Sequence, residues 1–164
     1  PVLWRPFHEF NGGWFWWGAK GAEPCKQLWI YLYDQLTNVY GCNNLIWVWN
    51  GQAADWYPGD EYVDIIGEDI YAANHSYGAQ NSKFIEVLGY TDARKIIALT
   101  ENGVLFDINN VVATNARWAW FNTWSGDFVQ KNGKYSEEYT EAHILSDTYR
   151  SEYVITLDEL PDLY

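Results

Sequence analysis

Glu9 and Glu101 are the residues of this sequence best placed to do chemistry. Each closes a short apolar run, residues 2–7 before the first and 95–100 before the second. A lone carboxylate taken out of water costs several kcal/mol unless it is paired or sits at a functional mouth. Two carboxyl groups flanking one glycosidic bond are what a retaining glycosidase needs. One donates a proton to the leaving oxygen, the other attacks the anomeric carbon, and the two stand about 5–5.5 Å apart. Strand-end acids also serve as helix caps or plain surface charges, and spacing alone leaves that choice open. Asn50, Asp69 and Tyr71 close apolar runs in the same way.

The aromatic residues bear on that choice. Trp14, Trp16 and Trp17 follow Glu9 in a glycine-containing loop. Loops run over the surface, so three indoles there need a reason. Sugar rings present C–H faces that pack on indole, and their hydroxyls bond to carboxylate, Asn and His. The same loop folded back would fill a core. Trp118, Trp120 and Trp124 fit core packing better than a cleft. His75 and His143 have no Cys or His at ligand spacing, so no metal is expected. Asn74-His75-Ser76 is a glycosylation sequon, meaningful only in a eukaryotic secretory pathway. Cys25 and Cys42 flank one expected helix. At 1.5 Å per residue they lie roughly 25 Å apart, beyond the reach of a disulfide, so two free thiols are expected.

The elements that must position these residues follow from composition and periodicity. The 164 residues are 48% hydrophobic and 20% charged, a globular composition and not a disordered one. The net charge of −12 offers no cationic face for phosphates, which excludes a nucleic-acid binder and disfavours an anionic membrane surface. No apolar stretch approaches the roughly 18 residues of a membrane span. Apolar runs at residues 2–7, 44–49, 62–66, 95–100 and 118–121 predict five strands. Helices are expected from Glu23-Pro24 to Gly41, and over 79–88, 108–115 and 136–149, with Ser136 as an N-cap. Continuous apolar strands separated by helices indicate a parallel sheet in an α/β fold. The polar residues gather at the C-terminal strand ends. That edge carries the active site in a (β/α)8 barrel and lines the crevice in an open doubly wound sheet. No glycine-rich phosphate loop follows any strand, which weighs against nucleotide-binding folds.

Three ordered blocks carry a specific resemblance. Trp4-Arg5-Pro6-Phe7-His8-Glu9-Phe10-Asn11-Gly12-Gly13-Trp14-Phe15-Trp16-Trp17-Gly18 resembles the acid/base segment of glycoside hydrolase family 26, the β-mannanases. Trp56-Tyr57-Pro58-Gly59-Asp60, Val63-Asp64-Ile65-Ile66-Gly67 and Asp69-Ile70-Tyr71 resemble its next block, and Thr100-Glu101-Asn102-Gly103 resembles its nucleophile strand end. The resemblance implies that Glu9 is the acid/base at the end of the fourth barrel strand and Glu101 the nucleophile at the end of the seventh. It implies that His8 helps hold the sugar at the cleavage point and that Trp14 packs near the scissile bond. Tyr71 would hydrogen-bond the nucleophile. Asp69 would be a polar, substrate-binding neighbour on the same face, two residues away. The family's usual Met after the acid/base is Phe10 here. Glu68 stands where a small or apolar residue is usual; it alternates to the face opposite Asp69 and reads as structural.

The implied fold is a partial (β/α)8 TIM barrel, strands 4 to 8 with their helices. Such a barrel needs about 250 residues. The chain opens Pro1-Val2-Leu3-Trp4 and contains no Met. Residues 1–164 are therefore expected to be the C-terminal portion of a single catalytic domain, without strands 1 to 3, and 157–164 the close of its last helical region. The implied activity is retaining endo-β-1,4-mannanase action on mannan, glucomannan or galactomannan, by a secreted enzyme that needs no cofactor. The expected partner is a β-mannan polysaccharide, with no nucleic acid and no membrane, and the N-terminal half of the barrel is needed to complete the site. The same resemblance covers enzymes that cut β-1,3-1,4-glucan or β-1,3-xylan. A truncated fragment that merely binds carbohydrate is the remaining alternative, and the presence of both glutamates argues against it.

Overall fold

The computed structural model describes residues 1–162. Val2–Trp4 (β1), Leu45–Trp49 (β2), Ile65–Ile70 (β3), Ile96–Asn102 (β4) and Phe121–Thr123 (β5) form one sheet in that order. β1 runs parallel to β2, with Val2 beside Leu45, and β2 parallel to β3, with Val48 beside Ile65. Ile97 and Leu99 of β4 bond in ascending order to Ala119 and Trp120, so the segment entering β5 runs parallel to β4. Helices Ala22–Tyr33 (α1), Asn81–Leu88 (α2) and Ile108–Thr114 (α3) fill three of the four connections, and Ala142–Tyr149 (α4) follows the last strand. The connection from β2 to β3 carries only short helical turns, Ala54–Trp56 and Asp60–Tyr62. Parallel strands in sequential order, alternating with helices, are the fold of part of a (β/α)8 barrel.

The chain divides into two compact units. The first comprises Pro1–Asp69, Lys83–Thr100 and Trp118–Phe121. Its inner strands β2, β3 and β4 bury both faces, as parallel strands do. Trp47, Trp49, Ile66 and Ile97 pack with Cys25 and Trp29 of α1 and Val87 of α2. The alternate residues Val48, Ile65 and Ala98 face the other way, with Ile46 and Trp120 against them. α1 starts after Gly21 and accepts Pro24 because that residue falls in its first turn, where backbone N–H groups have no helical acceptor. The helix widens into a π-helical turn, Asp34–Val39, and the chain leaves it at Gly41 with φ +67°.

The second unit comprises Ile70–Ser82, Glu101–Arg117 and the chain from Asn122 onward. It buries Val104, Leu105, Phe106, Ile108, Ala116 and Ile144. Two threonine hydroxyls tie its segments together: Thr140 accepts from the Leu105 N–H at 3.0 Å, and Thr148 donates to the Phe106 carbonyl at 3.3 Å.

Several expectations shift. β1 ends at Trp4 and its residues are exposed, Leu3 by 54%, because it is the edge strand of the sheet. β3 begins at Ile65; Tyr62 and Val63 are apolar because they pack under α1 from a turn, not because they are strand. β5 begins at Phe121, while Trp118 and Trp120 enter the core as the sequence suggested and Trp124 remains exposed. Ser136 caps no helix. It follows a hairpin, Gln130–Lys131 (β6) with Lys134–Tyr135 (β7), and the last helix starts at Ala142. Cys25 and Cys42 are free thiols, as expected. Among the described residues no helix is long and apolar enough to cross a membrane. Residues 163–164 of the expected closing segment lie outside the described residues.

Candidate active site

In the first unit the segment around Glu9 is held by the ends of three neighbouring strands. Phe7 and Glu9 both adopt left-handed backbone, φ +54° and +52°. A non-glycine residue there costs about 1–3 kcal/mol and persists only where its surroundings impose it. The Glu9 N–H donates to the Asn50 carbonyl at 2.8 Å and faces the Asn50 Oδ1 at 3.3 Å, so the residue just past β2 sets the position of the carboxylate. The Trp14 indole N–H donates to the Glu9 Oε2 at 3.1 Å. The indole lies over Gly12, where a Cβ would come within 2.2 Å of the ring, so only glycine admits this placement. Trp14 is 65% exposed and Trp16 69%, so both indoles present ring surface to solvent. Trp17 turns inward: its N–H donates to the His8 carbonyl at 2.8 Å, and its ring stacks on Phe15 at 4.3 Å. The His8 ring rests against Phe15 at 4.6 Å.

Behind this segment lies a buried polar network. The Asp69 side chain is fully buried and ion-paired to Arg5, Nη1 to Oδ2 at 3.1 Å. The Thr100 hydroxyl lies 2.6 Å from the Asp69 Oδ1. Asn50, fully buried, accepts from Arg5 at 2.8 Å and donates to the Gly67 carbonyl at 3.0 Å. Gly67 is required, since a Cβ there would stand 2.5 Å from the Thr100 side chain. The Gln52 side chain bonds both backbone groups of Asp69, accepting from its N–H at 2.7 Å and donating to its carbonyl at 3.1 Å. Arg5 and Gln52 were not among the residues expected at the site. Arg5 was visible as the only cation in the tryptophan-rich segment; Gln52 left no signal at all, because its importance comes from backbone contacts.

In the second unit Glu101 is buried and the Tyr71 hydroxyl donates to its Oε2 at 2.9 Å. The Tyr71 ring rests against Phe128 at 5.5 Å, and Phe128 against Tyr139 at 4.3 Å. Neither Phe128 nor Tyr139 was singled out from sequence. Asn102, the last residue of β4, donates to the Thr123 hydroxyl at 2.9 Å and so joins the ends of β4 and β5. Of the six expected site residues, the structure thus gathers His8, Glu9, Trp14 and Asp69 in the first unit and pairs Tyr71 with Glu101 in the second.

Glu9 is oriented by an indole N–H and Glu101 by a phenol, each past or at the end of a strand of a parallel sheet, the strand edge at which glycoside hydrolases built on a (β/α)8 barrel carry their acids. Residues 1–159 match the family described as Glycosyl hydrolase family 26, and the chain belongs to that family. It is 44% identical over 160 residues to a mannan endo-1,4-beta-mannosidase of Thermothelomyces thermophilus, covering 98% of this chain and 32% of that protein. The GH26-CBM35 beta-(1,4)-mannanase of Podospora anserina superposes with a TM-score of 0.86 at 46% identity, over 97% of this chain and 34% of that one. A beta-mannanase from a symbiotic protist of the termite Reticulitermes speratus, solved with a gluco-manno-oligosaccharide, gives 0.87 at 38% identity, over 98% and 48%. The chain spans about a third of the length of the Thermothelomyces protein it matches.

Proposed function

We propose that the catalytic domain containing this chain is a retaining endo-β-1,4-mannanase. The observation that carries the reading is the matched pair of oriented carboxylates in a family 26 chain: Trp14 N–H on Glu9, and Tyr71 O–H on Glu101. Glu9 protonates the glycosidic oxygen as the Glu101 carboxylate attacks the anomeric carbon. The C1–O bond breaks, and a mannosyl ester forms on Glu101. Glu9, now a carboxylate, takes a proton from water. The water oxygen attacks C1, the ester bond breaks, and the sugar leaves with its original configuration. Trp14 offers an indole face to a sugar ring and His8 supports the substrate from the same unit; Asp69, expected to bind substrate, has its side chain fully buried and holds Arg5 behind the site instead, and Tyr71 holds the nucleophile in register. A secreted location suits a polymeric substrate and the acidic composition. In this reading the complete site includes further barrel strands, which the greater length of the relatives supports.

The test is the anomeric configuration of the first product, followed by proton NMR during hydrolysis of mannohexaose by the full-length protein. The β-anomer should form first and mutarotate later. Initial α-product would overturn the double displacement. Glu101→Ala should abolish turnover while mannohexaose still binds; undiminished turnover would remove Glu101 from the mechanism. Parallel assays on mixed-linkage β-glucan and β-1,3-xylan read the sugar preference directly.

A further inference from the structure

Glu68 is a glutamate where the packing calls for an apolar residue. It points away from Asp69, to the face of β3 that carries Ile66, and it is only 1% exposed. Its Oε1 has no hydrogen-bond partner among the described residues. The groups facing it are Lys83 and Glu86 of α2, Tyr90 just beyond that helix, and Asp69 next in the strand. Burial pushes its carboxyl up to about 7, against the opposing pull of Lys83 and Tyr90.

Tyr90 links this acid to the site. Its hydroxyl lies 3.3 Å from the Gln52 carbonyl and 3.2 Å from the Glu86 Oε1, and it also faces the Glu68 carboxyl. A phenol has one proton to donate, so these acceptors compete for it. Gln52 is the joint. Its backbone is left-handed, φ +65°, its carbonyl accepts from Tyr90, and its side chain grips both backbone groups of Asp69. The Asn50 amide also reaches the Gln52 Oε1, at 3.4 Å.

We propose that Glu68, Tyr90 and Gln52 form a positioning relay behind the site, in which the state of the Glu68 carboxyl sets how firmly Gln52 holds Asp69 and Asn50. A neutral Glu68 is itself a donor. It gives its proton to the phenol oxygen in a hydrogen bond and leaves the phenol O–H to be shared between the Gln52 carbonyl and the Glu86 Oε1. An ionised Glu68 is an acceptor only. It draws the Tyr90 O–H to itself, and the Gln52 carbonyl loses that donor. Gln52 then lacks one of the bonds that keep it left-handed, and its grip on Asp69 slackens. The relay is tight on the acid side of the Glu68 titration and slack on the alkaline side. Its effect on turnover rests on the mannanase reading, because Asn50 positions Glu9; the relay itself is read without substrate.

The experiment is an NMR pH titration of the full-length protein, with carboxyl-labelled glutamate and nitrogen-15-labelled amides. The Glu68 carboxyl should titrate near neutrality, and the Gln52 side-chain amide and Asp69 backbone amide should move with the same midpoint. In Glu68→Gln both amides should stay in their acid-side positions at every pH. In Tyr90→Phe, which keeps the ring, Glu68 should still titrate while Gln52 and Asp69 no longer follow. In kcat/KM on mannohexaose, the step at the Glu68 midpoint should vanish in both variants while the wild-type acid limb remains. Gln52 and Asp69 resonances that ignore the Glu68 titration in the wild-type protein overturn the relay. So does an unchanged transition in Tyr90→Phe. A coupled NMR transition in a protein without activity on any β-mannan supports the relay and counts against the mannanase reading, so the two failures are distinguishable.

Discussion

At the scale of single residues, Glu9 is held by contacts that are separable by mutation. The Trp14 indole contributes a face and a donor, and Trp14→Phe removes the donor while keeping a smaller face. A hydrogen bond to a charged group is worth about 1.5–3 kcal/mol. If it acts mainly on the orientation of Glu9, kcat should fall about tenfold or more with KM little changed. Trp14→Ala should raise KM as well, because the face is lost too. Steady-state kinetics on mannohexaose separates the two outcomes. Asn50 is the more costly position. It bonds Arg5, the Glu9 N–H, Gly67 and Thr100 with no exposure to water. Asn50→Ala leaves those groups short of partners in a dry site, at on the order of 2–4 kcal/mol, while the Glu9 N–H keeps the backbone carbonyl of residue 50. Chemical denaturation should show the loss, and a variant as stable as the wild type would mean that water replaces the amide.

At the scale of elements, legibility depended on how local the physics is. β2 and β4 were readable because each is a continuous apolar run, buried on both faces, with a polar residue marking its end. β3 and β5 were shifted by about three residues because aromatic turns beside them, Tyr62 and Trp118, are as apolar as the strands they precede. Periodicity reports burial, not hydrogen bonding. The Glu9, Trp14 and Tyr71 placements followed from the family motif; Arg5, Gln52 and Phe128 did not, since each acts across long sequence separations. The hairpin was a missed local signal. Asn132-Gly133 sits at φ +53° and +74°, the pair of left-handed residues a two-residue type I′ turn demands. Gly133→Ala has open space for its Cβ but no comfortable backbone. It should cost about 1 kcal/mol through strain alone, leaving turnover unchanged. Thermal denaturation with a parallel activity assay checks both halves of that expectation.

At the scale of the whole molecule, charge and burial make opposing demands that pH exposes. The net charge of −12 implies self-repulsion at neutral pH, yet a neutral polysaccharide feels no long-range field from it. kcat/KM on mannan should therefore vary little with ionic strength. Stability should respond to pH through Glu68. In the unfolded chain this carboxyl ionises around its ordinary value of 4.5; in the folded chain burial holds the proton to about 7. Below the lower value both states carry the proton, and Glu68 exacts no penalty. Between the two values the folded state binds the proton that the unfolded state has released, so unfolding becomes easier as pH rises. Above the upper value both states are ionised and the penalty is complete, roughly 3 kcal/mol. Glu68→Gln removes this term and leaves the rest of the molecule's acidity in place. The difference in unfolding free energy between variant and wild type should thus be smallest near about pH 4 and grow in the variant's favour to about pH 8. A difference that stays flat across that range would mean that Glu68 ionises as freely in the fold as in water, and that the pocket beneath α2 is wetter than its packing implies.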